Sequence, residues 1–260
     1  HPWWALGVAA LGMLSKELVV IVPLLLWLYG HATGRPLGWK RHLPFWLLSG
    51  IYVVVRLTVL NFKNFLNFYD HANLLTEHVE YRVWTYLTTL PKALSLWLWP
   101  TDLHHERSWP VFTSLAIPQV WGSLAAVVLL LGVAAWTWRR QHRVAAVGLV
   151  WFLVATLPTS NLVVLINAIV YDHWFILPGL GLAIASASVL TWAFSIGRGV
   201  RMLAAILSVS TLLASAVITW HYNRIWRTPI SLYTHILKYE PDSAKICNNL
   251  AMAYDDAGQL

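Results

Sequence analysis

An all-α fold, a polytopic bundle of transmembrane helices followed by a short helical-repeat tail, is what three features of this sequence predict. Hydrophobic residues make up 58% of its 260 positions and charged residues only 11%, with a mean hydropathy of +0.59. A water-soluble domain carries roughly a quarter charged residues, so lipid must replace water over part of this surface. Apolar runs close to the roughly 20 residues that cross a hydrocarbon core recur along the chain, separated by short polar connections. From residue 221 onward the sequence turns polar and amphipathic.

Taken in order, residues 3–14 form the stump of a first span, and 18–30 a short second one. Residues 43–60, 120–138, 174–195 and 202–220 approach full spanning length, while 144–157 is short and borrows flanking residues or tilts. That gives seven spans, the stump included. The chain opens on His1, Pro2, Trp3 and Trp4 without a charged leader and stops at Leu260 inside a repeat. It therefore reads as the C-terminal part of a longer protein. The 17 tryptophans suit a membrane protein, because indole rings favour the interface.

Charge sets the expected topology. The connections at 30–42, 139–143 and 195–201 carry arginine and lysine and no acid, which makes them cytoplasmic by the positive-inside rule. The connections at 15–17, 61–119 and 158–173, together with the tail, hold most of the carboxylates and are expected outside. A crossing at 81–99 would put Arg139, Arg140 and Arg143 on the wrong side, so that stretch is expected to be an interfacial or re-entrant helix. Residues 1–220 form the membrane domain and 221–260 a linker with the first repeat helices. The membrane is the bacterial inner membrane or that of the endoplasmic reticulum, with the tail extracytoplasmic.

The tail has the spacing of a tetratricopeptide repeat. Cys247, Leu250, Ala251, Tyr254 and Gly258 occupy the bulky, leucine, small, tyrosine and closing-glycine positions, although Cys247 is smaller than the usual tryptophan. Pro241 closes the preceding unit, whose second helix packs through Tyr233 and Ile236. One and a half units bury no continuous core, so further repeats are expected after Leu260.

The net charge of +7 lies in short clusters between apolar runs and forms no basic stripe, which excludes a nucleic-acid partner. The single cysteine, Cys247, excludes an internal disulfide. Three placements carry possible chemistry, because charge beside lipid is costly unless paired or hydrated. Lys16 and Glu17 sit between two apolar helices, as a functional pair or an ordinary hairpin whose lysine snorkels. Arg56, near the outer end of its span, suits an anionic headgroup or a boundary anchor. Thr159, Ser160 and Asn161, and then Asp172, His173 and Trp174, bracket an apolar external segment, the latter group reading equally as a helix cap. His104, His105 and Glu106 are adjacent and diverge on any regular backbone, so a solvated loop is expected there rather than a metal site. His71, Glu77 and His78 are ambiguous in the same way. No Walker loop, dinucleotide fingerprint, nucleophile elbow or HExxH is present.

The order of these motifs resembles a family. Ser15-Lys16-Glu17 opens a span containing Pro23, and Trp99-Pro100 lies in a long external loop. Pro158-Thr159-Ser160-Asn161 and Asp172-His173-Trp174-Phe175-Ile176-Leu177-Pro178-Gly179 follow, ahead of the repeat tail. Together they resemble membrane glycosyltransferases of the C-type fold with C-terminal tetratricopeptide repeats, the protein O-mannosyltransferase-like group. The resemblance implies transfer of a sugar from a polyprenyl-phosphate donor to an acceptor on the external face, the acceptor being a protein recruited by the repeats. Membrane lipid is the surrounding partner, and a metal requirement is left open. The family's catalytic carboxylate belongs to an early external loop upstream of His1. Lys16, Arg56 and His173 would then bind the donor phosphate, with Glu17, Asn161 and Asp172 in support. Family members carry arginine where this chain has His173, so one permanent cation is replaced by a titrating one. The alternative is a non-catalytic anchor that displays the repeats as a docking platform. A transporter is disfavoured, because no inverted repeat or pair of broken helices is seen.

Overall fold

The structure, a computed structural model, describes residues 2–59, 72–163, 165–166 and 168–258. Residues 60–71, which hold the end of the expected 43–60 span, the start of the long external loop and His71, lie outside the described residues, as does Leu260. The described chain is all-α apart from one pair of two-residue strands.

Helix α1 (Pro2–Ser15) closes with Lys16 N–H donating to Gly12 O at 2.8 Å, and a 3-10 turn (Glu17–Ile21) leads into α2 (Val22–Ala32). The turn folds tightly because Gly12 has no side chain: a Cβ there would meet Val19 at 3.1 Å. Pro23 occupies the first turn of α2, where its missing N–H costs nothing. Helix α3 (Trp39–Thr58) begins earlier than the apolar pattern suggests and takes in the basic residues Lys40 and Arg41. His42 is buried there, one ring nitrogen hydrogen-bonded to Pro23 O at 2.7 Å.

After the short α4 (Leu74–Glu77), capped by Asn73, comes α5 (Val79–Leu98), the stretch expected to be helical without crossing. It is amphipathic and buries Thr85, Thr88, Thr89, Leu90 and Ala93. Leu90 and Ala93 form a core with Phe152 and Leu182, and the threonine hydroxyls return hydrogen bonds to their own helix, as Thr88 does to Thr85 O at 2.7 Å. Helix α6 (Pro118–Arg139) starts at a proline and ends at a basic pair, and a left-handed Gln141 (φ 65°) turns the chain into α7 (Arg143–Thr156). Two 3-10 turns, Leu157–Thr159 and Asp172–Phe175, flank the segment before α8 (Ile176–Ile196), and Gly197 separates α8 from α9 (Arg198–Ile225).

Three helical stretches are long and apolar enough to cross a membrane: Pro118–Arg139, Asp172–Ile196 and Arg198–Ile225. Trp3–Ser15, Glu17–Ala32 and Arg143–Thr159 are apolar but shorter. The tail forms α10 (Pro229–Leu237), begun by a reciprocal Thr228–Ser231 capping box, and α11 (Ala244–Asp256), followed by a left-handed Gly258. Ile236 and Ile246 are fully buried between these two helices, while Cys247 and Ala251 on α11 are exposed.

The chain divides into two compact units that interleave in sequence. The first comprises His1–Trp99, Trp109–Ile169 and His173–Ser188; the second comprises Pro100–Ser108, Val170–Asp172 and Val189–Leu260. In the first, α7 and α8 cross at backbone contact. A Cβ on Gly148 would lie 2.5 Å from Gly181 O, and one on Gly181 would lie 2.5 Å from Gly148 O. Trp151 locks the crossing, its Nε1–H donating to Leu177 O at 3.0 Å. In the second unit, strand β1 (Glu106–Arg107) pairs antiparallel with β2 (Val170–Tyr171), Glu106 opposite Tyr171 and Arg107 opposite Val170.

Gly148→Leu or Gly181→Leu must therefore push α7 and α8 apart, at a cost of at least about 1–3 kcal/mol. Gly132 on α6 has nothing within 4 Å of its Cβ position, so Gly132→Leu leaves stability unchanged. Thermal unfolding in detergent checks this, with a lowered midpoint expected for the first two variants only.

Candidate functional site

The first unit gathers several of the sequence-selected residues at one end. The Glu17–Ile21 turn packs against α3 and against the Leu157–Thr159 turn, so the Lys16–Glu17 corner, the last turn of α3 with Arg56, and the 158–161 motif are neighbours. Tyr52 on α3 lies within electrostatic reach of both Arg56 and Glu17. Lys16 and Glu17 are exposed, and Arg56 is half-buried.

Beside this corner is a small polar cavity of about 20 Å³, room for a single water. Arg82, Tyr86, Thr156, Ser160, Asn161 and Trp174 are among its walls. The walls are tied to one another. Tyr86 and Thr156 share a hydroxyl hydrogen bond of 2.6 Å, and Ser160 donates to Leu157 O at 2.7 Å. Arg82 caps the short α4, its Nε–H donating to Leu75 O at 2.6 Å and Nη2 to Thr76 O at 3.2 Å. Asn161 adopts the left-handed conformation (φ 59°) and closes its loop at both ends of the amide: Nδ2 donates to Ala168 O at 2.8 Å, and Oδ1 accepts from Ile166 N–H at 2.6 Å. Asparagine tolerates that backbone because its short amide bonds locally. Asn161 thus shapes the loop. His173 is half-buried immediately before Trp174, against whose ring it stands edge-on at 6.1 Å.

Asp172 belongs to the second unit, where its carboxylate is held by three donors. Arg107 Nε–H donates to Oδ1 at 2.5 Å and Nη2 to Oδ2 at 2.9 Å, a two-point fork, and His104 N–H reaches Oδ2 at 3.1 Å. Around this pair the 104–106 stretch is not the solvated loop its polarity suggests. His104 is 7% exposed, stacked on Tyr239 at 4.7 Å, with one ring nitrogen 2.6 Å from Asp102 O and the other 3.3 Å from Glu240 Oε1. His105 stacks on Tyr171 at 5.0 Å and meets Trp226 edge-on at 5.4 Å. Lys245 from α11 donates to Tyr171 OH at 2.6 Å and to Glu106 at 3.2 Å. The β1–β2 pairing and the tail hairpin cover these side chains. Arg107, Glu240 and Lys245 carried no local sequence signal, since their partners lie far along the chain. Among the described residues no group of three His, Cys, Asp or Glu is placed to hold a metal.

Burial pushes the His105 imidazole below its ordinary pKa of 6.5; Lys245 adds to this, while Glu106 and Asp172 oppose it. Lys245, despite burial, is held above the usual ammonium value by its bonds to Tyr171 and Glu106. The folded state thus disfavours charged His105. Its contribution to stability is fully present above about pH 6.5 and is lost as the pH falls through the window below it. Relative to His105→Asn, the wild-type chain should lose more thermal stability between pH 7.5 and 5.5. Equal losses in the two proteins would assign the effect to other groups.

No family model and no solved structure matches the chain. Among curated proteins the chain is similar to the human protein O-mannosyl-transferase TMTC1, at 27% identity over 184 residues, covering 64% of this chain and 20% of that protein. The chain thus spans about a fifth of the length of the relative it matches.

Proposed function

We propose that the full-length protein transfers a sugar from a polyprenyl-phosphate-linked donor to a protein acceptor on the extracytoplasmic face of a membrane. The observation that carries this reading is the similarity to a protein O-mannosyltransferase in a chain with three helices fit to cross a membrane. In this reading the Lys16–Glu17 corner and Arg56, neighbours at one end of the first unit, face the layer where a lipid phosphate resides. Lys16, Arg56 and His173 neutralise that phosphate and stabilise the charge that grows on it as the glycosidic bond breaks. Glu17 orients Lys16, Asn161 holds the adjacent loop in shape, and Asp172 fixes the start of the turn carrying His173. The base that activates the acceptor hydroxyl belongs to an upstream segment. The tail hairpin begins a tetratricopeptide array that recruits the acceptor.

Each charge-assisted contact to a phosphate contributes about 1.5–3 kcal/mol, and about 1.4 kcal/mol is one decade in rate. Lys16→Gln and Arg56→Gln should each lower transfer from a lipid-linked sugar about tenfold or more per folded full-length molecule. His173→Arg should preserve activity and flatten its dependence between about pH 6 and 8, because the guanidinium does not titrate there. Unchanged turnover in both glutamine variants would remove the phosphate site and leave a non-catalytic docking platform as the better account.

The topology has its own test. With Cys247 replaced, a cysteine at Gln141 should resist an impermeant thiol reagent in intact cells, whereas cysteines at Asn73 and Asp255 should react. The reverse pattern would invert the orientation.

A further inference from the structure

The other end of the first unit carries a feature that sugar transfer does not use. An apolar groove of about 400 Å³ lies between α2, α6 and α7, with Trp27, Leu131, Ala135, Trp138 and Val147 in its walls. Its size falls within the roughly 300–1,000 Å³ of small-molecule sites. The one polar ring among its walls, His31, is turned onto its own helix: one nitrogen bonds Trp27 O at 2.8 Å, and the ring lies 4.3 Å from that of Trp27. What remains is a surface that only hydrocarbon fits.

The groove's mouth is cationic. Trp138, which lines it, carries the Arg143 guanidinium over its ring at 5.4 Å, whereas Arg140 lies over Trp136 on the far face of α6. No side chain caps the first turn of α7, so the helix presents its positive dipole end beside Arg143. No acidic residue occurs anywhere in 18–69 or 108–171, the segments that build α2, α3, α6 and α7. A hydrocarbon-lined slot ending in Arg143 and a helix N-terminus is complementary to a molecule with an acyl chain and an anionic head.

We propose that this groove binds an anionic phospholipid, one acyl chain lying between α2, α6 and α7 and the phosphate held by Arg143 at the start of α7. The site is separate from the Lys16–Arg56 corner, because α7 runs the length of the unit between them: Arg143 begins it and the Leu157–Thr159 turn follows its end. Its occupancy does not depend on whether the protein transfers sugar.

The test uses the full-length protein, delipidated in detergent and titrated with phosphatidylglycerol or phosphatidylcholine, with bound lipids counted by native mass spectrometry. Phosphatidylglycerol should bind at least about tenfold more tightly, as expected for charge-assisted phosphate contacts. Arg143→Gln should erase that preference, whereas Arg140→Gln on the far face of α6 should not. Ala135→Phe, at an exposed groove position where it disturbs no core, should abolish retention of the lipid. Arg198→Gln/Arg201→Gln removes more charge elsewhere and should leave the preference intact. Equal binding of the two lipids, the result expected if another helix of the full-length protein covers the groove, overturns the proposal. So does an equal loss in the Arg198/Arg201 control, which would mean general charge attraction. Displacement of phosphatidylglycerol by a lower concentration of a polyprenyl phosphate would reassign the groove to the donor, and also overturns it.

Discussion

The first unit depends on the backbone contact between α7 and α8 at Gly148 and Gly181. Lipid tails are as apolar as leucine, so burying side chains between helices gains little there, and association relies on close van der Waals packing of small residues. Each glycine sits where any side chain would overlap the partner's backbone, and Ala185 continues the small-residue contact against Gly148. With the helices this close, Phe152 reaches the core shared with Leu90, Ala93 and Leu182, and Trp151 reaches Leu177 O. The turn that follows α7 and the turn that precedes α8 carry Ser160 and Trp174, so the same contact fixes two walls of the polar cavity.

Charge is handled differently in the two units. In the second, Asp172, Glu106 and Glu240 face Arg107, Lys245 and His104, each pair sequestered from solvent to some degree. Burying a lone carboxylate is costly, and a two-point guanidinium fork with an added backbone donor offsets much of that cost for Asp172. In the first unit, the long segments 18–59 and 109–169 hold cations without acids. A membrane protein with such cations has anionic lipid phosphates as natural counterions.

The tail is built into the second unit through polar contacts. His235 bonds Leu103 O at 3.0 Å, and Lys245 bonds Tyr171 and Glu106, so α11 is tied to the β1–β2 strand pair and α10 to the segment that leads into β1. The hairpin buries Ile236, Ile246 and Ala253, and leaves Cys247 and Ala251 open on α11.

Helix positions were legible in the sequence, because hydrocarbon imposes a length and a composition on anything that crosses it. The runs at 120–138 and 202–220 fall inside α6 and α9, the run at 144–157 matches α7 to within one residue, and the basic turns at 139–143 and 195–201 follow from the cost of charge in lipid. The helix at 79–98 was legible too, as an apolar stretch long enough for a helix. Long-range pairing was not. Nothing local to Arg107 or Asp172, 65 positions apart, announces their fork, and three adjacent polar residues at 104–106 read as a solvated loop until a strand and the tail hairpin cover them. Likewise Gly148 and Gly181 look like ordinary helix glycines until their helices cross. Periodicity, length and charge are properties of a segment and are written in it. Which segments meet is set by the free energy of the whole packing, and only the tertiary structure decides it.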